Sequence, residues 1–280
     1  MEISTFELLV KRIAPPPAAN SVARRVVQGY FLTISNLENE AFRYTLDFHI
    51  SLPTPPDPDR TLANNSVVLL DVAGANQVLN LAPAGATVNT TRFSTSFRLG
   101  AKQTASLQLL PNINDPALLA NPNPDLEVRG FVRLRLPAVF SFSGFPSFRR
   151  VPQSDRPVKV LLNPEIRGTF LPNGFPGGGD DFDQINYPLE LASGKGLNEI
   201  EPEPGGPIFE IPAERIPKLV EELPLRERPT IDFAALDEED RTAALIEVLG
   251  QIEPSEENLQ NVSDVLSKLD IPIGMELVRR

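Results

Sequence analysis

Phe42-Arg43-Tyr44-Thr45-Leu46-Asp47-Phe48-His49-Ile50-Ser51-Leu52 alternates apolar and polar residues at every step. A strand sends successive side chains to opposite faces, so this period of two puts Phe42, Tyr44, Leu46, Phe48, Ile50 and Leu52 on one buried side. Arg43, Thr45, Asp47, His49 and Ser51 take the other side. A helix would scatter the same apolar set around its axis. Residues 126–136 repeat the pattern: Leu126, Val128, Val132, Leu134 and Leu136 alternate with Glu127, Arg129, Phe131, Arg133 and Arg135.

Phe93, Phe97 and Leu99 face away from Arg92, Ser94, Ser96 and Arg98. Ala105, Leu107 and Leu109 follow a Gly100-Ala101-Lys102 turn, which predicts a hairpin over 91–110. Further strands are expected at 4–13, 26–35, 66–72, 76–81, 158–162 and 166–171. The total is about ten strands with no helical crossover between them, so the expected class is mainly β, an antiparallel β-sandwich. The 29 prolines agree, because proline is excluded from helix interiors. Pro15-Pro16-Pro17, residues 53–58 and Asn121-Pro122-Asn123-Pro124 read as stiff connectors between strands. Residues 137–157 read as a long loop or an irregular edge.

Charge divides the chain. Residues 1–175 hold 17 Lys+Arg against 13 Asp+Glu, whereas residues 176–280 hold 9 against 24, for a total of −11. A mildly basic body therefore carries an acidic C-terminal region, a pattern of interaction tails and clamps. The expected organisation is a β-sandwich domain over 1–172, a Gly/Pro-rich acidic linker over 173–211 and a short helical acidic region over 212–280. In that last region Asp237 and Ser255 are N-cap residues for two short α-helices, with a weaker third over 212–223. Leu245, Leu249 and Ile252 form a stripe on the first helix. Leu259, Val262, Leu266 and Leu269 form one on the second. Helices this short are not stable alone, so the pair needs a surface to dock on.

Several chemistries are excluded outright. With no cysteine there is no disulfide, thiolate metal site or thiol nucleophile. His49 is the single histidine and lies on the outer phase of its strand, too isolated for a serine triad. Glycines 177–179 lead into acids rather than Lys-Ser/Thr, so no phosphate cradle forms. No catalytic constellation is visible, and the expectation is a non-enzymatic protein. The residues that invite a metal are Asp180, Asp181, Asp183 and Asn186, oxygen donors following a glycine run, with calcium as the fitting ion. The plainer reading of 177–186 is a solvated acidic loop.

Arg43, Arg92, Arg98, Arg129, Arg133 and Arg135 all fall on the polar phase of their strands. If those strands are neighbours, they form a basic face. Nucleic acid is disfavoured by the overall charge and by Phe131 being the one aromatic in that phase. An acidic protein segment fits better, including the chain's own acidic region. The plainer alternative is a charged face that discourages aggregation. Residues 1–7 lack a secretory leader's basic start and apolar run, and no apolar stretch reaches membrane-spanning length. A cytoplasmic protein with no membrane partner is expected, with leaderless export as the alternative.

Residues 36–40 (Asn-Leu-Glu-Asn-Glu), read as a hairpin turn, and residues 99–104 (Leu-Gly-Ala-Lys-Gln-Thr), read as strand–turn–strand, resemble immunoglobulin-like or fibronectin-type β-sandwiches over about residues 1–135. That resemblance implies an adhesive, scaffolding or assembly part. The resulting expectation is a structural or protein-binding module whose acidic amphipathic arm docks on a partner, another copy or its own sandwich. A subunit of a tail, shell or filament is a variant of it. A calcium- or carbohydrate-binding sandwich using the 177–186 loop is the alternative.

Overall fold

The computed structural model describes residues 1–13, 24–83, 90–112, 114–115, 118, 121, 123–142, 147–172, 182–206 and 208–210. The C-terminal stripe from Leu245 to Leu269 lies outside the described residues, as do Asp180 and Asp181. The strands come in chain order. The first five are β1 (Glu2–Arg12), β2 (Arg25–Asn36), β3 (Phe42–Ile50), β4 (Ser66–Val72) and β5 (Ala75–Leu79). Next come β6 (Ala82–Pro83), β7 (Arg92–Leu99), β8 (Thr104–Pro111), β9 (Asp125–Arg135) and β10 (Val139–Phe142). The last are β11 (Ser147–Val151), β12 (Val158–Leu171), β13 (Asp183–Pro188), β14 (Leu197–Ile200) and β15 (Ile208–Glu210).

The chain divides into two units, Met1–Leu136 with Arg156–Pro202, and Pro137–Asp155 with Glu203–Arg280. The first contains a 12-stranded antiparallel sheet in the order β5-β4-β8-β2-β1-β9-β3-β7-β6, with β12 on β2 and with β13 and β14 on β12. In the second, β10, β11 and β15 form a three-stranded sheet. Short strands thus occupy the stretch read as irregular, and β13 and β14 fall inside the stretch read as linker. No helix among the described residues is long and apolar enough to cross a membrane.

The mainly β, antiparallel character holds, in the form of one hydrogen-bonded sheet curled as a half-barrel rather than two separately bonded layers. Two features impose the curl. β2 pairs with β12 along its whole length, but its other edge is shared: Arg25–Gln28 pair with β1 and Tyr30–Ser35 with β8. Gly29 sits at the change of partner, where a Cβ would lie 2.8 Å from the Leu109 carbonyl oxygen. At the far ends, only Asn80 and Leu81 separate β5 from β6, so the two ends of the sheet approach within about 10 Å.

The predicted hairpins are corrected. β7 pairs with β3 and β6, while β8 pairs with β2 and β4, so the Gly100 turn arches between strands that are not neighbours. The link from β2 to β3 does the same. The two arches brace each other. Asn36 N–H donates to Gln103 O at 2.9 Å and Lys102 N–H to Glu38 O at 3.1 Å. The Asn36 side chain donates to Glu40 O at 2.7 Å and Gly100 O at 2.8 Å. Residues 158–162 and 166–171 prove to be one strand, β12. Its Pro164 falls where the outer partner changes from β14 to β13.

The alternating apolar residues line the concave side and merge into one core. At about 1.5–3 kcal/mol for each fully buried aliphatic or aromatic side chain, this burial is the main stabilising term. Its centre is an edge-to-face trio, Phe6–Phe48 at 5.5 Å, Phe6–Tyr30 at 6.2 Å and Tyr30–Phe48 at 6.4 Å. The Tyr30 hydroxyl is partnered by Ser4 Oγ at 3.2 Å. The Tyr44 hydroxyl has no hydrogen-bond partner among the described residues, and burial, with Glu38 nearby, pushes its phenol far above the ordinary value. An orphan buried hydroxyl is a cost that phenylalanine removes. Tyr44→Phe is therefore expected to melt at or above the wild-type temperature, by up to about 1 kcal/mol in urea titrations. A clear loss of stability would mean that the hydroxyl is partnered.

Candidate functional site

The six arginines read as one basic face are brought onto one face by the sheet order β9-β3-β7. On β3 and β7, Arg43 lies directly opposite Arg98, and His49 opposite Arg92. On β9 and β3, Arg133 lies opposite Asp47, Arg135 opposite Thr45 and Phe131 opposite His49. All belong to the phase that points away from the core. Arg92, Arg98, Arg129 and Arg133 are exposed, and Arg43 and Arg135 are half-buried.

Sequence reading missed the acids woven into this face. Asp47 is only 1% exposed although it lies on the outer phase. Arg135 Nε donates to Asp47 Oδ2 at 2.6 Å, and Arg135 Nη2 to Oδ1 at 3.1 Å. Ser94 Oγ donates to Asp47 Oδ1 at 2.6 Å. Burial alone would raise the Asp47 pKa; the hydrogen bonds from Arg135 and Ser94, with the charges of Arg135 and Arg92, outweigh it and hold the carboxyl below the usual range. Arg129 pairs with Glu7 and with Glu127, the latter at 2.6 Å, and Arg133 is 3.9 Å from Glu2. The β9 arginines are thus largely neutralised. Among the described residues Arg92 and Arg98 form no ion pair, so the uncompensated positive charge is shifted toward β7. The signal for Asp47 was present in the sequence: it is the one acid in the outer phase of 42–52.

The His49 ring is half-buried, stacked on Phe131 at 4.6 Å between centroids and 4° between planes. Its Nε2 has no hydrogen-bond partner among the described residues. The outer phase was right for His49; the neighbouring aromatic ring withdraws it from open solvent.

A groove of about 670 Å³ lies along the outer face of the β1–β9 pair, walled by Glu7, Lys11, Asp125, Glu127 and Arg129. Its charges answer one another. Lys11 pairs with Asp125 at 3.1 Å and with Glu127, and Arg60 with Asp125 at 2.9 Å. Lys11's hydrogen bond, against some burial, holds the Glu127 carboxyl below the usual range, and the same bond raises Lys11.

Of the proposed metal ligands, Asp183 and Asn186 are described. Both lie on β13 rather than in a loop. Asp183 is ion-paired with Arg24, and Asn186 stands opposite Arg167 of β12. Among the described residues no group of three or more His, Asp or Glu side chains is placed to hold a metal ion. Comparison of the chain with protein-family models, with curated proteins and with solved structures returns no match.

Proposed function

We propose that the chain is a non-enzymatic structural or protein-binding module, and that the β7 side of its outer face receives an acidic protein segment. The observation that carries this reading is the placement of Arg92 and Arg98 on β7, both exposed and in no ion pair among the described residues. A partner's carboxylates can pair with them, and exposed charges of this kind speed association and select the partner. In the same reading the acidic C-terminal arm, with its stripe from Leu245 to Leu269, is the second docking element, and the curled sheet serves as an immunoglobulin-like sandwich does, closing over its core. The two braced arches, each joining strands that are not neighbours, support that likeness.

The test uses full-length protein and a labelled synthetic peptide of residues 235–258, followed by fluorescence anisotropy. Binding at 50 mM NaCl should weaken at 500 mM, because the screening length falls from about 14 Å to about 4 Å. Arg43→Glu with Arg92→Glu and Arg98→Glu should weaken it at least about tenfold. Equal binding by this triple variant would overturn the reading, as would no binding at low salt.

A further inference from the structure

Native sheets guard their free edges with charge, proline or bulges, because an open edge pairs with any strand that reaches it. Three of the terminal strands of this sheet are guarded: β6 by Pro83, β13 by Asp183 and Pro188, and β14 by Glu199. β5 is not. Ala75-Asn76-Gln77-Val78-Leu79 has neither charge nor proline, and no charged residue lies anywhere between Asp71 and Arg92. Ala75, Asn76, Gln77 and Val78 are all exposed, and Val78, at 73%, is the most exposed large apolar side chain described.

The ladder shows which groups are open. β4 and β5 are joined through Ala73 and Gly74, both at positive φ, with Val72 opposite Ala75. A two-residue hairpin makes its closing pair a hydrogen-bonded one, and bonded and non-bonded pairs then alternate. Val72–Ala75, Leu70–Gln77 and Val68–Leu79 are therefore bonded within the hairpin. Asn76 and Val78, opposite Asp71 and Leu69, direct their N–H and C=O outward.

We infer that β5 is a self-pairing edge: a second copy adds its own β5 antiparallel about a two-fold axis through Gln77. In this register Asn76 of one copy meets Val78 of the other and exchanges both backbone hydrogen bonds with it, on each side of the axis. Gln77 meets Gln77 at the centre in a non-bonded pair, where the two amides lie side by side. No other register about a two-fold axis uses both outward-facing residues of each copy. The edge is its own complement: Asn76 and Val78 stand evenly about Gln77, so a second copy answers it group for group. The chain carries −11 overall, and the longest uncharged run in the sequence is the surface on which two copies approach with least repulsion. Five residues of strand make a contact below the standard interface size, so the pairing belongs to the weak class. It is distinguishable from the arginine face, because salt weakens a contact between opposite charges and does not weaken an uncharged edge.

The test is sedimentation equilibrium of the full chain at 0.1 and 0.5 M NaCl, up to about 0.5 mM, a range suited to micromolar-to-millimolar affinities. Wild type should dimerise at least as tightly at 0.5 M as at 0.1 M NaCl, because salt screens the repulsion between copies. Val78→Pro removes one outward N–H without touching the β4 ladder, and Val78→Lys puts a charge at the contact. Both should weaken association at least about tenfold with an unchanged far-UV circular dichroism spectrum. Hydrogen exchange should protect the Asn76 and Val78 amides as concentration rises. A monomer throughout would overturn the inference, as would association that Val78→Pro leaves intact. Protection that persists at dilution would also overturn it, by showing that the chain's own residues cover the edge. Dimers lost at 0.5 M NaCl would count for the arginine face and against β5.

Discussion

Gly130→Ala is expected to yield little or no soluble protein, and any that folds should unfold at much lower urea than wild type. A Cβ on residue 130 would stand 1.8 Å from the His49 carbonyl oxygen, 2.8 Å from its carbonyl carbon and 2.9 Å from Phe6 Cε1. The first two atoms are backbone of β3, which is fixed by its own ladders to β9 and β7. Neither can turn aside as a side chain would. Gly130 also lies opposite Phe6 on the inward phase, and its bareness lets the Phe6 ring reach Phe48 and Tyr30. The loss should exceed the about 1–3 kcal/mol of ordinary overpacking. Gly74→Ala is the comparison. That residue has a φ of +89° and no neighbour within 4 Å, so it should cost only the backbone penalty of about 1–2 kcal/mol. Equal stability of the two variants would refute the close approach of β9 to β3.

Asp47→Ala is expected to lose about 2–4 kcal/mol at pH 7, measured by urea unfolding, because it removes a buried carboxylate's hydrogen bonds with Arg135 and Ser94. The effect carries a pH signature. The Asp47 pKa is lowered in the folded protein, so the folded state prefers the ionised form. Its contribution is complete above the unfolded-state value of about 4 and disappears as pH falls through the lower folded value. Wild type and Asp47→Ala should therefore draw together as pH falls through that lowered folded value and stay apart at pH 7. A gap that does not change with pH would show that the variant loses packing, not a charge-assisted network.

Facial parity was legible in the sequence; neighbour relations were not. The period of two in 42–52, 92–99 and 126–135 correctly sorted core from outer face, since it depends only on local backbone geometry. Leu99-Gly100-Ala101-Lys102 looked like a hairpin turn because a tight hairpin and an arch use the same turn residues. The choice between them is made by Asn36 and Glu38, more than sixty residues earlier in the chain. The separate strands expected at 158–162 and 166–171 have a similar origin: nothing nearby in sequence reveals that β13 and β14 divide the outer edge of β12 between them. The arginine set was legible as a set. Its neutralisation was not, because Glu2 and Glu7 reach Arg133 and Arg129 through the β1–β9 pairing across most of the first unit. The alternating rows gave no hint of β10 and β11, where the 139–151 stretch has no strict period.

The position of β12 has a consequence for biosynthesis. β2 is complete once residue 36 leaves the ribosome, but its longest pairing partner is Val158–Leu171. β1 likewise waits for Asp125–Arg135. A nascent chain must therefore carry one open edge on each of β1 and β2 until more than a hundred further residues have been made. Such delayed, long-distance pairing folds slowly and exposes sticky intermediates. Holding chaperones, or a slow stretch of codons before residue 158, should influence the yield of this protein more than substitutions on its surface.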